Sequence, residues 1–289
     1  MAANNPLSAG ARTPLTAPGV RARKGSEPLV MVTAYDAPGA RMVDEAGVDM
    51  ILVGDSLAMV VLGYDSTLQV TVEDMAHHTA AVARAKPSAL LIGDLPWLSY
   101  HLSTEDTVRN AATLVRAGAQ AVKLEGGRKR LPAVAAILDA EIPVMGHIGL
   151  TPQSVNVMGG FKVQGKTDDA ARELVDDAIA LAEVGCFSLV LEGVPSETAR
   201  LITEAVPIPT IGIGAGPHCD GQVLVFHDLL GIEERITPKF VRRYANLKAD
   251  AVAALEQFAA DVRAGRFPAP EESYGGGPVY GRGGDRATA

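Results

Sequence analysis

Apolar residues fall along this chain in short unbroken runs separated by longer amphipathic stretches. The runs are "LVMVTAYD" (29–36), "MILVGD" (50–55), "ALLIGDLP" (89–96), "AVKLEG" (121–126), "VMGHIG" (144–149), "SLVLEGV" (188–194), "TIGIGAG" (210–216) and a weaker "QVLVFHD" (222–228). They are rich in β-branched residues and do not alternate with polar ones. That pattern predicts parallel strands buried on both faces rather than antiparallel strands with one wet face. Between them, "TEDTVRNAATLVRAGA" (104–119) reads as a helix with Thr104 as N-cap and Gly118 as its stop. The stretches 166–185 and 195–206 read as two more. Strand then helix, eight times over, predicts a (β/α)8 barrel, with a doubly wound open sheet as the alternative. The barrel should occupy residues 28–265, about 240 residues and near the usual size of such a unit. Residues 1–27 and 266–289, with their prolines and glycines, read as flexible tails.

Charge and composition narrow the classes of function. The formal net charge is -8, without a long Lys/Arg run. Binding to nucleic acid or to anionic lipid through phosphates is therefore not expected. No apolar run reaches the roughly 18 residues of a membrane span, and the N-terminus lacks the apolar segment of a signal peptide. Cys186 and Cys219 are the only cysteines and form no CxxC pair, so a reducing, cytoplasmic setting is the simplest reading.

Polar residues gather at the C-terminal ends of the runs. Asp36 ends the first, Asp55 the second and Asp94 the third; Lys123 and Glu125 lie on the fourth, His147 on the fifth and Glu192 on the sixth. In a parallel barrel these ends form one face, where active sites sit. A single acidic residue after a strand is more often a helix cap or turn residue, but a succession of them is hard to explain that way. Asp55, Asp94, Glu125 and Glu192 would bring four carboxylates together against one lysine. Such a cluster repels itself unless protons or a cation intervene, and carboxylate oxygens without a Cys/His set suit a hard ion, Mg2+ first.

The tetrapeptide Gly54-Asp55-Ser56-Leu57 raises a rival, a serine esterase. That chemistry needs a base for Ser56 and donors for an oxyanion. The sole Asp-x-x-His, Asp74 to His77, follows too soon, at the start of a predicted helix. Ser56 therefore reads as a hydrogen-bond donor beside Asp55. "GIGAG" (212–216) could cradle an anion with backbone N–H groups or simply allow a tight turn. The polar, glycine-rich segment 146–166 is long enough to be a lid or binding loop.

Several longer stretches carry a resemblance. "VTAYDAPGARMVDEAGVDMILVGDSLAMVVLGYDSTLQVTVEDMAHHTAAV", "GDLPW", "AVKLEGG", "GHIGLTPQSVNVMGGFKVQG", "LVLEGVP" and "IPTIGIGAGPHCDGQVLVFHDLLG" closely resemble the ketopantoate hydroxymethyltransferase family, in order, over residues 28–265. The resemblance implies a (β/α)8 barrel of the phosphoenolpyruvate/pyruvate type, dependence on Mg2+, and 5,10-methylenetetrahydrofolate as co-substrate. It implies hydroxymethylation of 3-methyl-2-oxobutanoate to 2-dehydropantoate, in pantothenate synthesis, by a homo-decamer built as a pentamer of dimers. Carried over by residue, Asp55 and Asp94 match metal ligands. Glu125 matches the carboxylate beside the metal-bound waters and is counted with the metal site. Ser56 and Lys123 match residues that hold the 2-oxo acid, which Asp55 and Asp94 also face. His147 matches a substrate hydrogen-bonding residue, and Glu192 the catalytic base. The chain departs from many members in having Gly193 in place of a cysteine, and in its proline-rich N-terminus. A large oligomer is also suggested by helices 74–85 and 104–119, rich in Ala and Val with few charges on one side, unless those faces only pack on the strands. The other readings are a metal-dependent carbon–carbon lyase or mutase of the same superfamily, such lyases usually carrying a reactive cysteine on a mobile loop, and a non-catalytic barrel serving as an assembly subunit.

Overall fold

The computed structural model describes residues 12–235 and 238–274. Eight parallel strands close into a barrel in sequence order, β1 Leu29–Thr33, β2 Met50–Val53, β3 Leu90–Asp94, β4 Ala121–Glu125, β5 Val144–Gly149, β6 Ser188–Glu192, β7 Thr210–Ile213 and β8 Gly221–Leu224. β1 pairs with both β2 and β8, which completes the ring and excludes the open sheet. All eight expected runs form strands; β5 spans its whole run, and the other seven strands are shorter than theirs. At the end of the last run, Phe226–Leu229 is a helical turn, not strand.

The strand period of two separates the two hydrophobic layers. Ile51, Leu91, Val122, Leu124, Leu189 and Leu191 point outward and pack under the helices. Leu29, Met31, Met50, Leu90, Ile92 and Met145 point inward and fill the barrel. On β4 the alternation that buries Ala121 inside also turns Lys123 and Glu125 inside. On β3 it does the same for Asp94 after Leu90 and Ile92.

Helix ends follow local chemistry. The helix Thr104–Arg116 is capped by Ser103, whose Oγ accepts from the Asp106 N–H at 3.1 Å, one residue before the expected Thr104. Asp36, expected among the polar strand ends, is the N-cap of Ala37–Glu45, its carboxylate accepting from the Gly39 N–H at 2.7 Å. It follows the common habit of an acidic residue after a strand and does not join the site.

The N-terminal expectation needs a correction. Within 1–27, Ala17–Arg21 form a helix capped by Thr16, with a proline in its first turn. Ala17 and Val20 are buried with Leu29, Met31 and Met50, so the helix plugs the N-terminal end of the barrel. Residues 1–11 of the expected tail lie outside the described residues. At the other end, 266–274 include a 3-10 turn at Pro270–Glu272, and 275–289 lie outside the described residues.

The outer helices give no independent argument for assembly. Met75, Thr79 and Val82 of one, and Thr107, Ala111 and Leu114 of the other, are the buried residues of their helices and pack toward the chain's own strands.

Candidate active site

Strand register places the polar residues side by side at the C-terminal end of the barrel. Asp94 is opposite Lys123, Glu125 opposite His147, and Gly149 opposite Glu192. Asp55 and Ser56 follow β2 at the start of the short helix Leu57–Val60. All seven expected residues, Asp55, Ser56, Asp94, Lys123, Glu125, His147 and Glu192, line one cavity of roughly 730 Å³. Its outer wall includes Tyr64, Phe161, Val163 and Phe240. Two of these come from the 146–166 segment, which is not all loop: it contains the helical turns Pro152–Ser154 and Val155–Met158.

The inner wall is a contact network of buried charges. Lys123 Nζ lies 2.9 Å from Asp94 Oδ1, and Asp94 Oδ2 accepts from the Asp55 N–H at 3.1 Å. Lys123 Nζ is also 3.3 Å from His147 Nδ1, and His147 Nε2 is 3.3 Å from Glu192 Oε2. Burial lowers the Lys123 pKa, but Asp94, Glu125 and Asp55 more than offset this and hold it above its ordinary value. Lys123 is therefore an ammonium that can only donate, so His147 Nδ1 accepts from it. Burial, reinforced by Lys123, holds the His147 pKa well below its usual range. The ring is then neutral, with its proton on Nε2 facing Glu192.

The carboxylates show the opposite stress. Burial, then repulsion from Asp94, pushes Asp55 up to about 7. Burial pushes Glu192 up to about 7, with Lys123 opposing. Burial and Asp55 hold Glu125 well above its usual range. Glu125 Oε1 is buried without a hydrogen-bond partner. These oxygens face the same cavity and are the donors a hard cation takes. Among the described residues no three His, Cys, Asp or Glu side chains form a ready-made metal-ligand group. Mg2+ does not require one, because it binds through one or two carboxylates and fills its remaining positions with water and substrate oxygens.

Ser56 Oγ is 2.9 Å from the Tyr35 hydroxyl, not from an imidazole. Asp74 caps its own helix with Thr71, and His78 Nδ1 lies on the Tyr35 carbonyl oxygen. The esterase arrangement is not built here. The glycines of 212–216 have packing reasons: Gly214 and Gly216 have φ of 63° and 78°, and a Cβ would run into Phe240 and Ser196 respectively.

With this geometry in place, comparison with known proteins gives a consistent result. A family profile described as ketopantoate hydroxymethyltransferase matches residues 15–270. The chain belongs to the ketopantoate hydroxymethyltransferase family. A relative from Syntrophomonas wolfei subsp. wolfei, named 3-methyl-2-oxobutanoate hydroxymethyltransferase, is 58% identical over 253 residues, covering 87% of this chain and 92% of that protein. A relative of the same name from Methylobacterium sp. (strain 4-46) is 61% identical over 246 residues, covering 85% of each. Among solved structures, the phosphoenolpyruvate phosphomutase from Streptomyces platensis subsp. rosaceus is similar in fold, with a TM-score of 0.57, 16% identity, and coverage of 90% of this chain and 92% of that one. A phosphonopyruvate hydrolase in complex with oxalate and Mg2+ gives a TM-score of 0.58 at 14% identity, covering 89% and 93%. These distant likenesses show the barrel fold alone.

Gly193, which the resemblance sets against a cysteine, has a φ of 55°, and a Cβ there would come within 3.1 Å of the Leu150 Cβ. Two residues at the site were not legible in the sequence. Gln153 and Tyr100 are both buried and hydrogen-bond to each other at 2.6 Å beneath the carboxylates. Gln153 sits in the short 3-10 turn Pro152–Ser154 and touches Asp55, 98 residues earlier, so no local pattern marks it.

Proposed function

We propose that this chain transfers a hydroxymethyl group from 5,10-methylenetetrahydrofolate to 3-methyl-2-oxobutanoate, with water consumed and 2-dehydropantoate and tetrahydrofolate formed, as a step of pantothenate synthesis. The observation that carries the reading is a proton acceptor, Glu192, set beside a carboxylate cluster suited to a cation, in a chain of this family. Asp55 and Asp94 would hold Mg2+, with Glu125 alongside. When bound there, Mg2+ supplies Lewis-acid polarisation of a chelating 2-oxo acid and so makes its C3 proton more acidic. Lys123 and Ser56 orient the acid's carboxylate. His147, neutral with Nε2–H toward the cavity, serves as a hydrogen-bond donor. Its Nδ1 is occupied by the Lys123 ammonium, so it has no lone pair to spare for the C3 proton. Glu192 has one, and a pKa near 7 suits a general base at neutral pH.

The cysteines lend no support to a lyase or mutase. Burial pushes the Cys186 thiol up to about 12 and raises Cys219 as well, and neither lines this cavity. A non-catalytic barrel would have no use for so many costly buried charges. The family resemblance extends the reading to a homo-decamer. Support comes from the helix Leu247–Arg263, which has no buried residue and leaves Val252, Leu255, Phe258 and Val262 exposed.

The assignment of the base is tested by following deuterium uptake at C3 of 3-methyl-2-oxobutanoate in deuterated water with Mg2+ and no folate. Glu192→Gln should slow exchange by about 10²–10⁴ while His147→Gln slows it less. Wild-type exchange in Glu192→Gln, with loss in His147→Gln, would transfer the role to His147.

A further inference from the structure

Gln153 ties several buried groups around the carboxylate cluster together. Its Nε2 donates to Asp55 Oδ2 at 2.9 Å and to the Leu95 carbonyl oxygen at 3.0 Å. Its own backbone N–H donates to Glu125 Oε2 at 3.0 Å. Its Oε1 accepts from the Tyr100 hydroxyl at 2.6 Å, and that hydroxyl accepts from the Glu125 N–H at 3.2 Å. The residue is 5% exposed. The amide cannot be turned round: Asp55 Oδ2 and the Leu95 carbonyl are acceptors and need the nitrogen, which leaves the oxygen for Tyr100.

We infer that Gln153 is the positioning residue of the cation site, clamping Asp55 and Glu125 so that each keeps one carboxylate oxygen for the cavity. This rests on the cation reading proposed above. Gln153 takes Oδ2 of Asp55 and Oε2 of Glu125. Oδ1 of Asp55 receives no hydrogen bond from the described residues, and Oε1 of Glu125 is buried without one. The choice of glutamine follows from charge. A lysine or arginine here would neutralise the carboxylates and compete with a cation, whereas an amide supplies the same donors and leaves the negative charge in place. Gln153 also belongs to the turn Pro152–Ser154, just before the segment that carries Phe161 and Val163 to the cavity's outer wall. The anchor of that segment and the alignment of the carboxylates are therefore one set of contacts.

The test uses the full chain and Mn2+, whose binding is read by electron paramagnetic resonance without any oxo acid. Gln153→Met keeps the side chain's length and removes its hydrogen bonds, and thermal melting confirms the fold. Mn2+ affinity should fall by about 10–100-fold, the usual loss when a group that orients a metal ligand is removed. In deuterium exchange the Mg2+ concentration needed for half-maximal rate should rise by a similar factor, while the oxo-acid KM at saturating Mg2+ changes little. A merely structural role would not produce that split. If Gln153→Met does not fold, Tyr100→Phe replaces it; it frees Gln153 Oε1, and Mn2+ binding should weaken several-fold. Wild-type Mn2+ affinity in the folded variant would overturn the role of Gln153 alone. Absence of Mn2+ binding to the wild-type chain would overturn the cation reading together with it.

Discussion

At one end of the barrel interior, the inward positions of β1 to β5 carry Leu29, Met31, Met50, Leu90, Ala121 and Met145, closed off by Ala17 and Val20 of the N-terminal helix. A few residues further along, the inward positions carry Asp94, Lys123, Glu125 and His147, joined by Asp55 and Glu192. The backbone environment is the same, strand residues pointing into a closed ring. The chemistry is opposite. Apolar burial at the first end stabilises the fold, at roughly 25 cal/mol per Å² removed from water. Buried charge at the second end opposes it, since each carboxylate loses hydration and meets its own kind. The pKa values of about 7 for Asp55 and Glu192 record that opposition. One end of the interior holds the barrel together, and the other draws on that stability to keep a cluster of buried charges assembled.

The division can be broken from either side. Asp55→Asn should weaken Mn2+ binding by more than the roughly 10–100-fold typical of losing a residue that only orients a ligand, as read by titration. The same variant should melt higher than wild type without metal, because a repelled carboxylate is gone. Unchanged affinity would remove Asp55 from the cation site.

Met50→Ala addresses the opposite end. Denaturant unfolding should show a loss of about 2–5 kcal/mol, with Mn2+ affinity within twofold of wild type. A large change in affinity would show that the two ends are not separable.

Ser56→Ala should raise the oxo-acid KM by the equivalent of about 1.5–3 kcal/mol, the range for a hydrogen bond to a charged group, without abolishing turnover. Covalent labelling of Ser56 by a fluorophosphonate, with loss of activity, would contradict its role as a donor.

The smallest effect sharpens the comparison through pH. Asp55 and Glu192 have folded-state pKa values raised from 3.8 and 4.5 to about 7. Their favourable contribution to stability is complete below the unfolded values and is lost as pH rises through about 7. The metal-free chain should therefore melt lower at pH 8 than at pH 6. The rise in melting temperature on adding Mg2+ should be larger at pH 8, where the ligands are already ionised. Asp55→Asn should flatten both trends, and Met50→Ala should leave them as in wild type.

The barrel and the placement of most candidate site residues around one cavity were readable in the sequence for one reason, the period of two. An apolar run that ends in an acidic residue places that residue at a strand end, as with Asp94, and Lys123 and Glu125 two apart must share a face. The same rule misled at Asp36, because a strand end is also a helix start, and there the carboxylate caps the helix. The helix Ala17–Arg21 was hidden by its length of five residues: its order comes from Ala17 and Val20 packing under the barrel, not from local propensity. Gln153 and Tyr100 were hidden because their partners lie 98 and 25 residues away, for Asp55 and Glu125 respectively, and only the closed ring brings them together.

The most direct measurement supplies the chain with Mg2+, 3-methyl-2-oxobutanoate and 5,10-methylenetetrahydrofolate carrying a 13C-labelled methylene group, and follows the label by NMR. The label is expected in the hydroxymethyl group of 2-dehydropantoate, at a rate that requires Mg2+ and falls sharply in Glu192→Gln. C3 exchange without any transfer of label would leave Glu192 as a base but contradict the proposed reaction. Transfer that proceeds equally well in Glu192→Gln would contradict the site.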